Sequence, residues 1–396
     1  MKRTRLAIVL THPTQYYAPV FRALAASTAV SPKVFYTWSN VAEGTVPDGE
    51  FGKAIRWDIP LREGYEHEFV HNVSANPGVD HFRGVRNPEL IPRITSWGAE
   101  AVLVFGWNLA SHFEAMRHFK GRVPVFFLGD STLLDEMPPW RSLARWLVLT
   151  GVYRHIDVAI AVGQNNRDYF RRYGVPAERV LIAPHSIDTE RFGAATASHR
   201  ALIENWRSEM RIREGEVVFL FAGKLTHKKN PQLLLDAFLQ SGGQGHLVFC
   251  GNGDLEDVLK SRAGGCARVH FLPFQNQSVM PAVYRLGDLC VLPSQGPGET
   301  WGLALNEAMA CGRPVIASSR VGAARDLIES GVTGWVFESG NQAQLIEILT
   351  LAAREGVDAL RKRGEAARRV SQRWSSESSA TRIADIVSGC ARERKT

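Results

Sequence analysis

Residues 291–337, VLPSQGPGETWGLALNEAMACGRPVIASSRVGAARDLIESGVTGWVF, decide the fold. The apolar run Leu289–Leu292 ends at Pro293-Ser294, and a Gly/Pro-rich loop follows. Leu303, Ala304, Glu307, Ala308 and Met309 then recur at helical spacing. Gly312 lies past the last turn and Pro314 follows, which closes the helix. A second buried-type strand, Pro314–Ala317, completes a strand–helix–strand crossover, and such crossovers build parallel sheets. The expectation is an α/β fold with its ligand chemistry at the carboxyl ends of the strands.

Upstream, the pattern repeats. Leu6–Leu10 is a continuous apolar run, as a strand covered on both faces requires. The loop His12-Pro13-Thr14-Gln15-Tyr16-Tyr17 follows, then a helix carrying Val20, Phe21 and Leu24. Further strands are expected at Lys33–Tyr36, Glu68–Val70, Ala101–Phe105, Val123–Leu128 and Val158–Val162. Three of these end in Gly106-Trp107-Asn108, Gly129-Asp130-Ser131 and Gly163-Gln164-Asn165. A second series holds Phe219–Ala222, His246–Cys250 and Val269–Leu272. The expected organisation is two doubly wound Rossmann-like domains facing each other across a cleft. They occupy residues 1–188 and 213–372, with 189–212 as connector and a helix at about 375–396 crossing back to the first domain.

A chain of 396 residues suits two domains, and 45% hydrophobic with 22% charged residues is ordinary for a globular protein. The net charge of +7 suits an anionic ligand or surface but is too diffuse to argue for nucleic acid. Cys250, Cys266, Cys290, Cys311 and Cys390 are widely spaced with no CxxC pair, so reduced thiols in a cytoplasmic protein are expected, without a disulfide framework or zinc site. The opening MKRTRLAIVLTHP has an apolar run too short for a signal peptide. No window reaches the ~18 apolar residues of a spanning helix.

The helix after Leu292 begins between two carboxylates, Glu299 and Glu307. A carboxylate repels phosphate but accepts hydrogen bonds from sugar hydroxyls, whereas the N–H groups of Trp301, Gly302 and Leu303 at the helix start suit an anion. A molecule bearing both hydroxyls and phosphates, a nucleotide sugar, satisfies both. Two glutamates at this separation also suit a plain solvated helix face. Gly223-Lys224-Leu225 and Lys228-Lys229 form a basic loop after a strand, and a solvated basic turn is the alternative, preferred for Lys228. Gly251-Asn252-Gly253-Asp254 reads as a tight turn.

The frame Pro-Ser, then Glu-x-x-Gly-Leu-x-x-x-Glu-Ala-Met-Ala-Cys-Gly-x-Pro-Val-Ile, strongly resembles the signature of the retaining GT-B glycosyltransferases of family 4, the group 1 glycosyltransferases. The resemblance gives Glu299 the donor-sugar hydroxyls and Glu307 the nucleotide ribose. It gives Lys224 and Lys229 the donor diphosphate, with Lys224 standing where the family has Arg and giving up the bidentate fork. Thr300-Trp301 stands where the family usually shows Gly-Phe. Gly251, Gly253 and Phe274 fall in the nucleotide-binding half. HPTQYYAP resembles the opening of some bacterial members, and Asp130 occupies the place where many relatives carry a His beside the reacting centre. The implied catalytic set is Lys229, Glu299 and Asp130, and the implied acceptor contacts are His12, Gln15, Tyr16, Trp107 and Asp130.

The resemblance implies a retaining hexosyltransferase moving sugar from a nucleotide sugar to a glycan or lipid-linked acceptor, a surface-polysaccharide precursor, with no cofactor and no metal. Fixed cations would meet the charge that grows on the diphosphate leaving group. A GT-B nucleotide-sugar epimerase or hydrolase, or a non-catalytic sugar-nucleotide-binding protein, is the alternative. In Pro139–Val148, Trp, Arg and aliphatic residues recur at helical spacing. Ordinary packing of an amphipathic helix explains that pattern, and so does attachment to an anionic membrane, which would place the protein peripherally on the inner face of the cytoplasmic membrane.

Overall fold

The computed structural model describes residues 2–38, 45–48, 53–135 and 137–393. The chain runs β1 (Thr4–Leu10), α1 (Tyr17–Ala26), β2 (Val30–Tyr36), the short β3 (Thr45–Asp48) and β4 (Lys53–Arg56), then β5 (Glu66–Phe69). Next come α2 (Leu90–Trp97), β6 (Ala101–Phe105), α3 (Ala110–Phe119), β7 (Val125–Gly129), α4 (Pro139–Tyr153), β8 (Val158–Ala161), α5 (Gln164–Arg172) and β9 (Val180–Ile182). These strands, apart from β3 and β4, form a parallel sheet in the order β5-β2-β1-β6-β7-β8-β9. Leu6, Ala7, Ile8 and Val9 of β1 are fully buried. That is why the strand reads as an unbroken apolar run instead of alternating.

The second series begins with α6 (Thr189–Gly193), α7 (Ala197–Glu209), β10 (Val218–Ala222), α8 (Pro231–Gln240), β11 (His246–Cys250), α9 (Glu256–Ala263) and β12 (Val269–Leu272). It continues through α10 (Met280–Leu286), β13 (Leu289–Leu292), α11 (Leu303–Ala310), β14 (Val315–Ser318), α12 (Ala324–Leu327), β15 (Gly334–Phe337) and α13 (Gln342–Ser371). Gly356 interrupts α13 with non-helical backbone. The sheet order is β12-β11-β10-β13-β14-β15, again parallel. Phe219, Phe221, Phe238 and Phe249 anchor its core, and burying each stabilises the unit by about 1.5–3 kcal/mol. The last helix, α14 (Ser376–Glu393), packs on α1.

The chain divides into two compact units, the first ending at Ser186 and resuming at Ser376, the second holding Ile187–Ser375 with residues 47–59. Each is a doubly wound Rossmann-like sheet with flanking helices. Several readings of the sequence differ from this structure. Residues 189–212, expected to be a connector, fold into α6 and α7 of the second unit, with Phe192 and Trp206 buried. Their polar surface hides two capped helix starts: Asp188 accepts from Arg191 N, and Thr196 from His199 N. The strands β3, β4, β9 and β15 were not expected; β3 and β4 pair only with each other, and β9 and β15 are short edge strands.

Candidate active site

In the second unit, the loops after β10, β11 and β13 gather at the carboxyl edge of the sheet. Gly223 and Lys224 follow β10, and the chain then makes a single turn, His227–Lys229. Asn230 stops that turn in the left-handed region (φ 50°), and its side chain accepts from Leu233 N to start α8 with Pro231 in the first turn. Lys229 is thereby held at a fixed place on the rim. Its Nζ lies 2.6 Å from Glu299 Oε2, with side chains 20% and 6% exposed. The Ser294 hydroxyl donates to the same oxygen at 2.9 Å. A carboxylate this buried requires compensation, and one ammonium and one hydroxyl supply it. Glu299 Oε1 lies on the side of Gly302, 3.7 Å from where a Cβ there would stand.

The carboxylate sits on a braced loop. Gly322 N donates to Glu299 O at 3.3 Å, and Ala323 N donates to Trp301 O at 2.8 Å. Gln295 ties the loop to the lysine turn, its N donating to Lys228 O and its Nε2 to His227 O. Gly302 has φ 96°, and a Cβ there would strike Val321 at 2.6 Å, so only glycine leads into α11 along this path. The side chain of Trp301 serves packing: it is buried, donates from Nε1 to Asn306 Oδ1 at 2.9 Å and packs against Trp374. Thr300, Gly302 and Leu303 complete the entry to α11.

Glu307 lies one turn into α11, 4% exposed, and accepts from the Tyr284 hydroxyl at 2.6 Å. Tyr284 is a residue the sequence did not flag. It comes from α10, and no local pattern connects it to the glutamate. Gly251 shows a clear steric need, because a Cβ there would meet Gly223 O at 2.0 Å. The loops after β10 and β11 therefore run main chain against main chain, with Leu225 N donating to Asn252 O at 2.9 Å. Gly253 makes the same kind of approach to Leu225 O. Asn252 Oδ1 accepts from Phe274 N at 2.8 Å, which joins the β12 loop to this edge. Lys228, read as a solvated turn residue, is half-buried, with its Nζ 3.8 Å from the Cβ position of Gly298. The basic loop thus puts a second ammonium against the glutamate loop.

In the first unit, Asp130 follows β7, and Trp107 lines the same cavity of about 580 Å³. His12, Gln15 and Tyr16 are not in that lining, although their loop leads into Tyr17. The Tyr17 ring packs edge-on to Phe105 (4.7 Å between centroids) and stacks on His185 at 5.8 Å. Burial, with the negative charge of Asp130 added, raises the Tyr17 phenol well above its ordinary range. Burial pushes His185 down to about 4, and Asp130 pulls the other way. His185 was not singled out in the sequence; it follows β9 after Ala183-Pro184, in a loop at the carboxyl end of that strand. Burial also lowers His12, whose Nδ1 has no hydrogen-bond partner. Among the described residues no group of three or more His, Cys, Asp or Glu side chains is placed to hold a metal ion. None of their helices is long and apolar enough to cross a membrane.

These sites can be set beside known proteins. Residues 203–370 match the family described as Glycosyl transferases group 1, and residues 54–191 match Glycosyltransferase Family 4. The chain is 30% identical over 372 residues to D-inositol 3-phosphate glycosyltransferase of Geodermatophilus obscurus, covering 81% of this chain and 76% of that one. It is 35% identical over 160 residues to the phosphatidyl-myo-inositol mannosyltransferase of Mycobacterium leprae, covering 39% and 41% of the two chains. Among solved structures, HepE from Anabaena in complex with UDP superposes with a TM-score of 0.72 at 19% identity, over 98% of this chain and 100% of that one. That likeness shows the GT-B fold.

Proposed function

The chain belongs to the group 1 glycosyltransferases of family 4, and from that premise we propose that it transfers a hexose, with retention of configuration, from a nucleotide sugar to a lipid-linked or surface-polysaccharide precursor. The observation that carries the donor half is the 2.6 Å pair of Lys229 and Glu299 on the rim of the second sheet. A cation and a carboxylate side by side match the two halves of an activated sugar. Lys229, with Lys224 on the same loop, takes the diphosphate at the start of α11, where helix N–H groups favour an anion. Glu299 accepts from the sugar hydroxyls. Glu307, oriented by Tyr284, accepts from the ribose, and the main chain around Phe274 receives the base.

As the bond from the anomeric carbon to the phosphate oxygen breaks, the acceptor oxygen bonds to that carbon on the same face. The acceptor's proton passes to the leaving phosphate. The lysines and the helix dipole neutralise the growing charge, so no metal is needed. Asp130 orients the acceptor hydroxyl in the first unit. HepE is also known in complex with UDP-glucose, which makes UDP-sugars the first donors to try. On this reading the enzyme works at the inner face of the cytoplasmic membrane, attached to its surface.

Thermal-shift screening of UDP-, GDP- and ADP-sugars, followed by turnover assays with and without acceptor, tests the proposal. Stabilisation by one nucleotide sugar, lost in Glu299→Ala, is expected. Donor consumption at an equal rate without acceptor would instead identify an epimerase or hydrolase.

A further inference from the structure

A second cavity, of about 340 Å³, opens on the second unit at the edge of the sheet opposite Lys229 and Glu299. Gly215, Asp288 and Arg313, which line it, come just before β10, β13 and β14. The donor loops leave the carboxyl ends of those strands, so the two places share no residue. Arg207 of α7, Arg285 of α10 and Arg361 of α13 complete its cationic lining. Four guanidinium groups stand against the carboxyls of Glu214 and Asp288, an excess of two positive charges. Among the described residues, Val357 supplies its only apolar side chain, so the cavity does not suit a hydrophobic occupant.

The inner arginines bond to neutral acceptors. Arg207 Nη2 donates to Arg213 O at 2.9 Å, and Arg313 Nη2 to Arg285 O at 2.8 Å. Arg285 donates to Pro281 O, Phe192 O and Cys311 Sγ. Arg313 Nε is buried with no hydrogen-bond partner. Arg361 pairs with Asp358 at 3.3 Å, but both side chains are largely exposed, and such a pair holds weakly. Burial holds Arg313 below its ordinary range; Asp288 supports its charge, and Arg285 and Arg361 oppose it. Like charges gathered out of water repel one another, and an anion between them relieves that repulsion. Guanidinium forks match phosphate oxygens in pairs, and a phosphate monoester carries a charge of about −1.5 to −2 at neutral pH. The charge excess of the cavity therefore fits one phosphate dianion.

We propose that this cavity at the amino edge of the sheet is a second ligand site, holding the phosphate dianion of inorganic phosphate or of a small phosphate monoester among Arg207, Arg285, Arg313 and Arg361. The site is separate from the donor site and does not depend on the proposed transfer. Titration calorimetry on the full-length protein, with inorganic phosphate, glycerol 3-phosphate and uncharged glycerol, tests it. Both phosphates should bind and glycerol should not. Tighter binding of glycerol 3-phosphate identifies a monoester as the ligand, and tighter binding of inorganic phosphate identifies the free ion. Arg361 is exposed and Arg207 half-buried, so both can be replaced without opening the core. Arg207→Gln/Arg361→Gln should weaken binding about tenfold or more. Arg207→Lys/Arg361→Lys, which keeps the charge but not the fork, should recover part of that loss. Lys229→Met, at the other edge of the sheet, should leave the binding in place. Phosphate should also raise the urea midpoint of the unaltered protein more than that of the Gln variant, which reads folding and binding in one measurement. Absence of binding by either phosphate, equal affinity in the Gln variant, or a loss in Lys229→Met as large as in the Gln variant would overturn the inference. The last of these would place the anion at the donor diphosphate position instead.

Discussion

Trp301 and Trp374 pack ring against ring, 5.0 Å between centroids and tilted by 38°. The pair joins the glutamate loop to the last residues of the second unit, since Ser375 ends that unit and Ser376 begins the return to the first. Trp374 O also accepts from Ile187 N at 3.3 Å, at the residue where the chain first enters the unit. The loop that carries Glu299 is thus braced by the segments where the chain passes between units. Trp374→Ala should weaken UDP binding several-fold, although Trp374 itself is assigned no donor contact. Loss of this aromatic contact, between the buried Trp301 and the partly exposed Trp374, should cost about 1–3 kcal/mol of stability. Trp374→Phe should restore most of both. Unchanged UDP affinity in a folded Trp374→Ala protein would show that the brace is irrelevant to the donor site.

Lys229 and Glu299 should behave as one unit. Lys229→Met leaves a carboxylate in a site only 6% exposed, with the Ser294 hydroxyl still donating to it, at a cost of about 3 kcal/mol. Lys229→Met combined with Glu299→Gln removes both charges and should recover much of that stability, so a urea-denaturation cycle should be strongly non-additive. Turnover should follow a different order. Each single variant should lose about 10²–10³ in kcat, and the double variant should not recover it. Additive stability losses would mean that the pair is not coupled.

Tyr284→Phe removes a hydroxyl donor to Glu307 without changing ring shape. A hydrogen bond to a buried charged group contributes about 1.5–3 kcal/mol, so a comparable drop in stability is expected. If Glu307 reads the ribose, UDP affinity should fall about tenfold while affinity for inorganic pyrophosphate holds. Equal loss for both ligands would place Tyr284 in general packing instead of ribose recognition.

The chemistry of burial explains what could be read from sequence. Ala101–Phe105, His246–Cys250 and Leu289–Leu292 were expected as strands over the same residues that form them, because parallel strands covered on both faces leave apolar runs between turn residues. Val180–Ile182 left no such mark because it is only three residues long, and Gly334–Phe337 because it opens on a glycine and exposes Val336. The Lys229 and Glu299 positions came from the signature, but their direct contact spans two crossovers and was not legible. Tyr284 reaches Glu307 from another helix for the same reason. The α4 segment was ambiguous, since the helical period that packs one helix into a core sets another on a surface. The 66% exposure of Trp140 shows that this face is not packed into the core.

Stability should fall in mild acid. Burial pushes His112 down to about 4, opposed by its bonds to Phe105 and Gly106. The neutral ring fits its surroundings, with Nδ1 donating to Phe105 O at 2.8 Å and Nε2 accepting from the Thr37 hydroxyl at 2.9 Å. Its ordinary value is 6.5, so above that pH neither folded nor unfolded chain binds the proton and the group has no effect. Below it the unfolded chain takes up a proton that the folded chain refuses, and the native state loses ground until the pH reaches about 4. At pH 5 this one group should cost about 2 kcal/mol. His185, also lowered to about 4, acts in the same direction. Urea midpoints measured from pH 7.5 to pH 5 should decline, and His112→Asn, whatever its own stability, should show a shallower slope. A slope unchanged in His112→Asn would show that this ring is protonated inside the fold.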